Sequence, residues 1–356
     1  MNRRKTNEVF IKDITIGSGH PVAIQTMYSL PLHPLSEREW YEQLLFTLRS
    51  YATMGCDIIR FSYPSSDHFE TFRAICNDSP LAVVADIHFD QKLAIEAIKA
   101  GSAKIRINPG NIGSKNKVRE IVSCAKDHAC AIRIGLNGGS LPVRRRNEDP
   151  VAVMVETALE YTDWFESWNF DQTVLSVKHT DVDYTYRSYK ELAKQCSYPL
   201  HLGVTEAGSI VSAVTRSTWA LGRLLSEGIG DTMRISISDD NMYEISAAKE
   251  ILRTVGIEHK GIHLISCPKC GRSTFDSQSF VKKVEHKLLA YKSDLTVAIM
   301  GCQVNGPGEA AHADIAITGI GKRVFLYMKG KLVKEVLSDT AEEELMKAIG
   351  EMIDAQ

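Results

Sequence analysis

Leu81-Ala-Val-Val-Ala-Asp86-Ile-His88-Phe-Asp90-Gln-Lys-Leu-Ala-Ile-Glu-Ala-Ile-Lys-Ala-Gly101-Ser-Ala-Lys-Ile-Arg106-Ile-Asn108 is the stretch on which the fold turns. It reads as a β-branched apolar run, an Asp cap, apolar residues at helical spacing, a closing Gly, and a second apolar run. That is one strand–helix–strand unit of a parallel sheet. Moving outward, the same unit recurs. Strands are expected at His20–Met27, Asp57–Tyr63, Leu81–Phe89, Ala103–Asn108, Cys130–Asn137, Thr173–His179, Pro199–Glu206 and Asp231–Ser238. Amphipathic helices are expected at 36–55, 67–77, 90–100, 114–128, 149–168, 183–196, 209–227 and 241–256. Eight units fit an α/β chain that opens with a (β/α)8 barrel, a fold of about 250 residues. An open doubly wound sheet would carry a Gly-rich phosphate loop after its first strand, and none follows Met27.

The period changes near residue 258. Strands at Gly261–Ser266, Leu295–Met300, Asp314–Thr318, Val324–Met328 and Leu332–Leu337, with helices at 276–291 and 341–354, describe a small α+β domain over 259–356. The barrel then occupies 1–258, joined by a short hinge without a Pro- or Ser-rich linker.

Composition narrows the function. The 356 residues are 44% hydrophobic and 24% charged, ordinary for a globular protein, and 42 basic against 44 acidic side chains give a net charge of −2. No global positive field draws nucleic acid or an anionic membrane, so any anion site must be local. No apolar run approaches the about 18 residues of a membrane span, and Glu8 interrupts the basic N-terminus where a secretory signal would turn apolar. A cytoplasmic protein is expected, and its eight cysteines should be reduced thiols or metal ligands. Cys56, Cys76, Cys124, Cys130 and Cys196 are scattered singly and read as core.

In a (β/α)8 barrel the active site lies at the carboxyl ends of the strands. Here those ends carry Arg60, Asp86, His88, Arg106, Asn108, Arg133, Asn137, Ser176, Lys178, His179, Glu206, Arg234 and Ser236. A period of two puts Asp86 with His88, Arg106 with Asn108, Arg133 with Asn137, and Arg234 with Ser236 on common strand faces. An isolated strand-end Arg ordinarily finds a carboxylate or reaches solvent. Four arginines and a lysine facing only Asp86 and Glu206 call instead for an anionic ligand with more than one phosphate. Asn108 and Asn137 would orient it, and Glu206 and Asp86 are the candidate proton carriers. His88 and His179 are weaker candidates, since a lone strand-end His is commonly structural.

The last three cysteines form Cys267-Pro-Lys-Cys270-Gly and, beyond a strand, Gly301-Cys302-Gln-Val-Asn-Gly-Pro-Gly-Glu309. Three thiolates need a fourth ligand. His312 would complete a structural zinc site; an oxygen ligand would complete a [4Fe–4S] cluster with one exchangeable iron. A redox dithiol is a third possibility. Spacing leaves zinc and cluster evenly matched, with Gly301, Gly306 and Gly308 favouring the cluster slightly because glycine lets backbone N–H groups approach sulfur.

These cysteine motifs, with Arg106-Ile-Asn-Pro-Gly110, Arg133-Ile-Gly-Leu-Asn137, His201-Leu-Gly-Val-Thr-Glu206-Ala-Gly208 and Gly230-Asp-Thr-Met-Arg234-Ile-Ser236, resemble the hydroxymethylbutenyl diphosphate synthase family over nearly the whole chain. These are the reductive iron–sulfur enzymes of the methylerythritol phosphate route to isoprenoids. The resemblance implies a [4Fe–4S] cluster held by Cys267, Cys270, Cys302 and Glu309. It implies a cyclic diphosphate substrate contacted by Arg60, His88, Arg106, Asn108, Arg133, Asn137, Lys178, Arg234 and Ser236, with Asp86 and Glu206 near the reacting carbons. It further implies reduced flavodoxin or ferredoxin as electron donor, and a homodimer in which the cluster domain of one subunit caps the barrel of the other. The chain departs from the family at Thr26 after strand one, in the loop Leu30-Pro-Leu-His-Pro34, and at His179-Thr180, where small residues usually stand. The short hinge matches the compact bacterial form. Two readings compete: a redox-inactive barrel lyase or transferase with structural zinc, and an iron–sulfur sensor for a phosphorylated ligand.

Overall fold

Eight short parallel strands close around one axis in a computed structural model that describes residues 3–140, 148–257, 261–302 and 306–355. Glu258 and His259, which flank the expected domain boundary, lie outside the described residues, as do Gln303, Val304 and Asn305 of the cysteine motif. Contacts divide the chain into two compact units, Met1–Glu258 and His259–Gln356.

The first unit begins with an antiparallel hairpin, β1 (Val9–Ile11) and β2 (Ile14–Ile16). The barrel strands follow: β3 (Ala23–Met27), β4 (Ile58–Ser62), β5 (Ala82–Asp86), β6 (Lys104–Ile107), β7 (Ala131–Asn137), β8 (Thr173–Lys178), β9 (His201–Leu202) and β10 (Thr232–Met233). Their order is β8-β7-β6-β5-β4-β3-β10-β9, and a parallel bridge between Leu175 and Leu200 brings β8 back to the segment leading into β9. Helices return the chain from strand to strand as the periodicity predicts. Gln91–Lys99 is typical: Asp90 accepts the Lys92 N–H at its start, and Gly101 takes φ +96° beyond its end.

Three local features differ from the sequence expectation. The seventh and eighth strands are only two residues long each, His201–Leu202 and Thr232–Met233, although the Arg234 N–H still reaches the Leu202 carbonyl at 3.0 Å. The helix expected at 209–227 is broken into Ile210–Ser217, a π-helical turn Thr218–Gly222, and Arg223–Ser226. The hairpin β1–β2 was not anticipated. Its Val9, Ile11 and Ile16 are fully buried against Ala23, Ile58, Ala82, Val84, Ala131 and Val174, so an apolar plug closes the barrel at the strands' amino ends. Of the five cysteines expected in the core, Cys56, Cys76 and Cys130 are buried, whereas Cys124 and Cys196 are only half-buried because they sit at the last turns of surface helices.

The second unit has a five-stranded mixed sheet in chain order: β11 (Ile262–Ser266), β12 (Leu295–Met300), β13 (Ile315–Ile320), β14 (Arg323–Met328) and β15 (Lys331–Leu337). The first three are parallel, the rest antiparallel. Helices Ser277–Leu288 and Ala341–Asp354 bury Phe280, Val284, Leu288, Leu345, Ile349 and Met352 against Ile262, Val297, Ile299 and Ile315. A short helix, Gly306–His312, crosses from β12 to β13.

Candidate active site

Alternation within the barrel strands sorts residues into layers. The lowest inward layer is apolar and meets the hairpin plug. Above it the inward positions turn polar: Gln25, Arg60, Lys104, Arg133, Ser176 and His201, then Asp86, Arg106, Lys178 and Arg234. Placing so many cations inside one barrel is costly unless something neutralises them.

Asp86 is their main counter-charge. Its carboxylate lies 3.3 Å from Arg106 Nη1, 3.3 Å from His88 Nε2 and 3.9 Å from Arg60 Nε. Burial alone would raise the carboxyl pKa, but Arg60, His88 and Arg106 outweigh it and hold the group well below the usual carboxylate range. Asp86→Asn should therefore cost about 3–5 kcal/mol of stability, the usual cost of orphaning buried ion-pair partners. Because the folded pKa is depressed, that contribution is whole above the ordinary value of 3.8 and is lost only as pH falls below it. Denaturant unfolding of both proteins at neutral and acid pH checks it: the gap should be constant near neutrality and shrink in acid.

Arg234 shows where sequence reading was incomplete. Asp86 and Glu206 were expected to be the only acids near the cations, yet Glu244, from helix Asn241–Thr254, grips Arg234 in a two-pronged ion pair of 3.1 and 2.9 Å. Glu244 is fully buried and also takes hydrogen bonds from Thr26 Oγ1 and the Ile237 N–H. Helix residues facing the barrel carry no strand-end signature, which is why it went unnoticed.

The remaining cations are less well matched. Arg133 is 2% exposed; its Nη1 donates to Ser176 Oγ at 2.5 Å, while Nε and Nη2 have no partner among the described residues. Burial, then Arg60 and Arg106, push it well below the usual arginine value. Arg60 is pushed down to about 10 by burial, with Arg234 and Arg106 adding to the shift against Asp86. Lys178 Nζ lies 3.1 Å from His201 Nε2, and burial followed by Arg133 depresses its ammonium strongly. The lysine fits because residue 203 is Gly: a Cβ there would stand 2.4 Å from Nζ.

Lys104 escaped the sequence reading, although it shares the period of two with Arg106 and Asn108 in Lys104-Ile-Arg106-Ile-Asn108. It is fully buried, with Nζ unpartnered among the described residues, and burial with Arg133 and Arg60 pushes it down to about 7. Lys104→Met should stabilise the protein by about 1–4 kcal/mol, as when a buried charge gives way to an apolar residue of similar volume. The unfolded chain binds the extra proton between about 7 and 10.5, so the gain is largest below pH about 7 and fades toward 10.5. Thermal or denaturant melts across that range test it.

At the rim, Asn108 ends β6 and accepts the Gly110 N–H at 3.2 Å, and Ser236 lies two residues past Arg234. His88 is 54% exposed; its ring pairs with Asp86 and packs against Phe89 at 5.9 Å. A cavity of about 540 Å³ is lined by Asn137, Gly138, Gly139, His179, Thr180, Thr205 and Glu206. Glu206 is exposed there with φ +52°, a backbone region that a non-glycine residue rarely occupies.

In the second unit the cysteines sit just past the ends of two neighbouring parallel strands. Cys267 follows β11, and Cys302 follows β12 and Gly301. Cys267 Sγ accepts the Gly301 N–H at 3.2 Å and faces Ser277 Oγ at 3.8 Å. Burial raises the Cys267 thiol, but N–H groups of Lys269 and Gly301 with Ser277 and Ser273 outweigh it and lower its pKa. The Arg272 N–H chiefly lowers Cys270. A Cβ on Gly301 would lie 2.7 Å from Ser273 Oγ, so only Gly lets this backbone reach the sulfur. Glu309 stands in the first turn of Gly306–His312, half-buried, and His312 is exposed at its end. Among the described residues no three metal-ligating side chains converge. The donor set nonetheless suits an iron–sulfur cluster: the Cys267 and Cys270 thiols are biased to thiolate, and the Cys267 sulfur already receives an N–H bond.

Two solved structures resemble about two thirds of the chain in fold. Dihydropteroate synthase from Vibrio fischeri covers 70% of this chain and 98% of its own at TM-score 0.51 and 13% identity. The corresponding enzyme from Thermus thermophilus covers 70% and 97% at TM-score 0.51 and 16% identity. Sequence relatives reach much further. Proteins named 4-hydroxy-3-methylbut-2-en-1-yl diphosphate synthase (flavodoxin) are 41% identical in Lawsonia intracellularis, over 98% of both chains, and 43% in Caldicellulosiruptor saccharolyticus, over 97% and 98%. The Bacillus subtilis protein of that name is 41% identical over 98% of this chain and 92% of its own. Family models match residues 6–249 as a GcpE TIM-barrel domain and 263–351 as a GcpE protein C-terminal domain. With both domains present in order, the chain belongs to the GcpE family.

Proposed function

We propose that this chain is a reductive 4-hydroxy-3-methylbut-2-enyl diphosphate synthase: it opens 2-C-methyl-D-erythritol 2,4-cyclodiphosphate and removes one oxygen as water with two electrons. The observation that carries this reading is the set of barrel cations, the buried Lys104, Arg106, Arg133 and Lys178 with the half-buried Arg60, met among the described residues by one close carboxylate, Asp86. A diphosphate supplies the missing negative charge. The names of the relatives point to flavodoxin as donor, and the family resemblance to a homodimer.

Cys267, Cys270, Cys302 and Glu309 would hold a [4Fe–4S] cluster, and the barrel unit would hold the substrate. When bound, such a cluster supplies electrons one at a time, and iron as a Lewis acid. The chain's own groups divide the remaining work. Arg106, Arg133 and Lys178 bind phosphate oxygens in a site whose floor is closed by the apolar plug. Asn108 and Asn137 orient the ligand. Asp86 stays a carboxylate, committed to Arg60, His88 and Arg106, and sets the positions of those cations. Proton delivery falls to Glu206, exposed in the cavity and held by strained backbone, whose carboxyl oxygen hands over the proton that leaves with water.

Anaerobic purification tests this directly. The protein should carry iron and sulfide without stoichiometric zinc, and should convert the cyclic diphosphate when given reduced flavodoxin or dithionite. Zinc at one per chain with no turnover would favour the redox-inactive barrel enzyme. An intact cluster with ligand binding but no turnover would favour the sensor.

A further inference from the structure

We infer that His179 is a substrate-positioning residue that donates a hydrogen bond from Nε2 to a hydroxyl oxygen at the uncharged end of the ligand, in the cavity it shares with Glu206. The inference rests on the reading of the barrel as a diphosphate site.

Geometry fixes the ring. His179 Nδ1 accepts the Asp181 N–H at 2.9 Å, so a neutral ring carries its proton on Nε2. Its backbone is pinned as well: the His179 N–H donates to Thr185 Oγ1 at 3.2 Å, and its carbonyl accepts from that hydroxyl at 3.0 Å and from the Thr205 N–H at 3.3 Å. Tyr184 packs edge-on against the imidazole at 5.2 Å. On the cavity side the Cδ2–Nε2 edge lies over Gly138, where a Cβ would stand 2.1 Å from Cδ2 and 2.7 Å from Nε2. A donor is thus aimed along the cavity wall, and Gly138 leaves room for it.

Charge identifies what it meets. Among the described residues that line the cavity, Glu206 is the one carboxylic acid and none is Lys or Arg. A phosphate finds no cationic partner among these residues, while the buried cations Arg106, Arg133 and Lys178 lie in the barrel. The ligand's hydroxyl-bearing end therefore falls between His179, a donor, and Glu206, the proton carrier proposed above.

The experiment compares two ligands on the anaerobic holoenzyme: the cyclic diphosphate, and inorganic pyrophosphate, which offers charge but no hydroxyl. His179→Asn keeps an acceptor for the Asp181 N–H and removes the Nε2 donor; His179→Gln keeps a donor near the Nε2 position. For His179→Asn, the cyclic diphosphate Kd and KM should rise about tenfold, with pyrophosphate affinity, iron content and melting temperature unchanged. His179→Gln should recover most of the loss. Unchanged Kd and KM for the cyclic diphosphate in His179→Asn, or equal weakening of both ligands, would overturn the inference. Failure of the unsubstituted protein to bind either ligand would instead refute the diphosphate reading itself.

Discussion

Glu309→Cys is expected to keep its iron and lose turnover by two or more powers of ten, a barrier increase of about 3 kcal/mol. The residue stands in the first turn of Gly306–His312, the segment after Cys302. A carboxylate is a hard ligand that iron can release, whereas a thiolate binds more tightly and does not yield its place. Glu309→Ala should retain the three cysteine ligands but shed the fourth iron on mild oxidation, giving a three-iron signal. Glu309 and His312 are three residues apart on one helix and share a face, so each could be offered to the same metal. His312→Ala separates them: it should leave the iron content unchanged. Stoichiometric zinc that vanishes only in His312→Ala would overturn the iron–sulfur assignment.

Arg133→Ala should leave the metal in place and raise the KM for the cyclic diphosphate at least about a hundredfold. Two of the side chain's nitrogens, Nε and Nη2, are buried and unpartnered among the described residues, so a bound anion can take hydrogen bonds from both. Each charge-assisted contact is worth about 1.5–3 kcal/mol, roughly ten- to 150-fold. Because Ala also leaves a void, Arg133→Met provides the check: it preserves volume and should bind as poorly. Unchanged KM and kcat in both variants would remove Arg133, and with it the proposed phosphate site, from the barrel.

The barrel was legible because its signal is local. A β-branched run, an Asp cap and a closing Gly each state their role within a dozen residues, as Leu81–Gly101 shows. Strand length was less legible: Pro199–Glu206 and Asp231–Ser238 look extended, but the ladder covers only His201–Leu202 and Thr232–Met233, because pairing depends on neighbouring strands that a local pattern does not contain. The charged set was read from alternating residues near the strand ends, which left out two groups: Glu244 lies on a helix, and Lys104 follows the alternation but sits one layer below the strand ends. The hairpin plug was missed because two three-residue strands are too short to show a period.

The two inward levels of the barrel differ in kind, and the difference bears on the protein's lifetime in a cell. The lower level is hydrocarbon and would hold the fold together in any state. The upper level keeps Lys104, Arg133 and Lys178 dry and mostly unmatched, so free energy that could have gone into folding is held as a latent attraction for an anion. The ligand-free protein is then the fragile form, and ligand at a hundred times its Kd would add about 2.7 kcal/mol of resistance to unfolding. A protein without ligand should then be easier to open and to cleave, which limited proteolysis with and without the cyclic diphosphate would read directly.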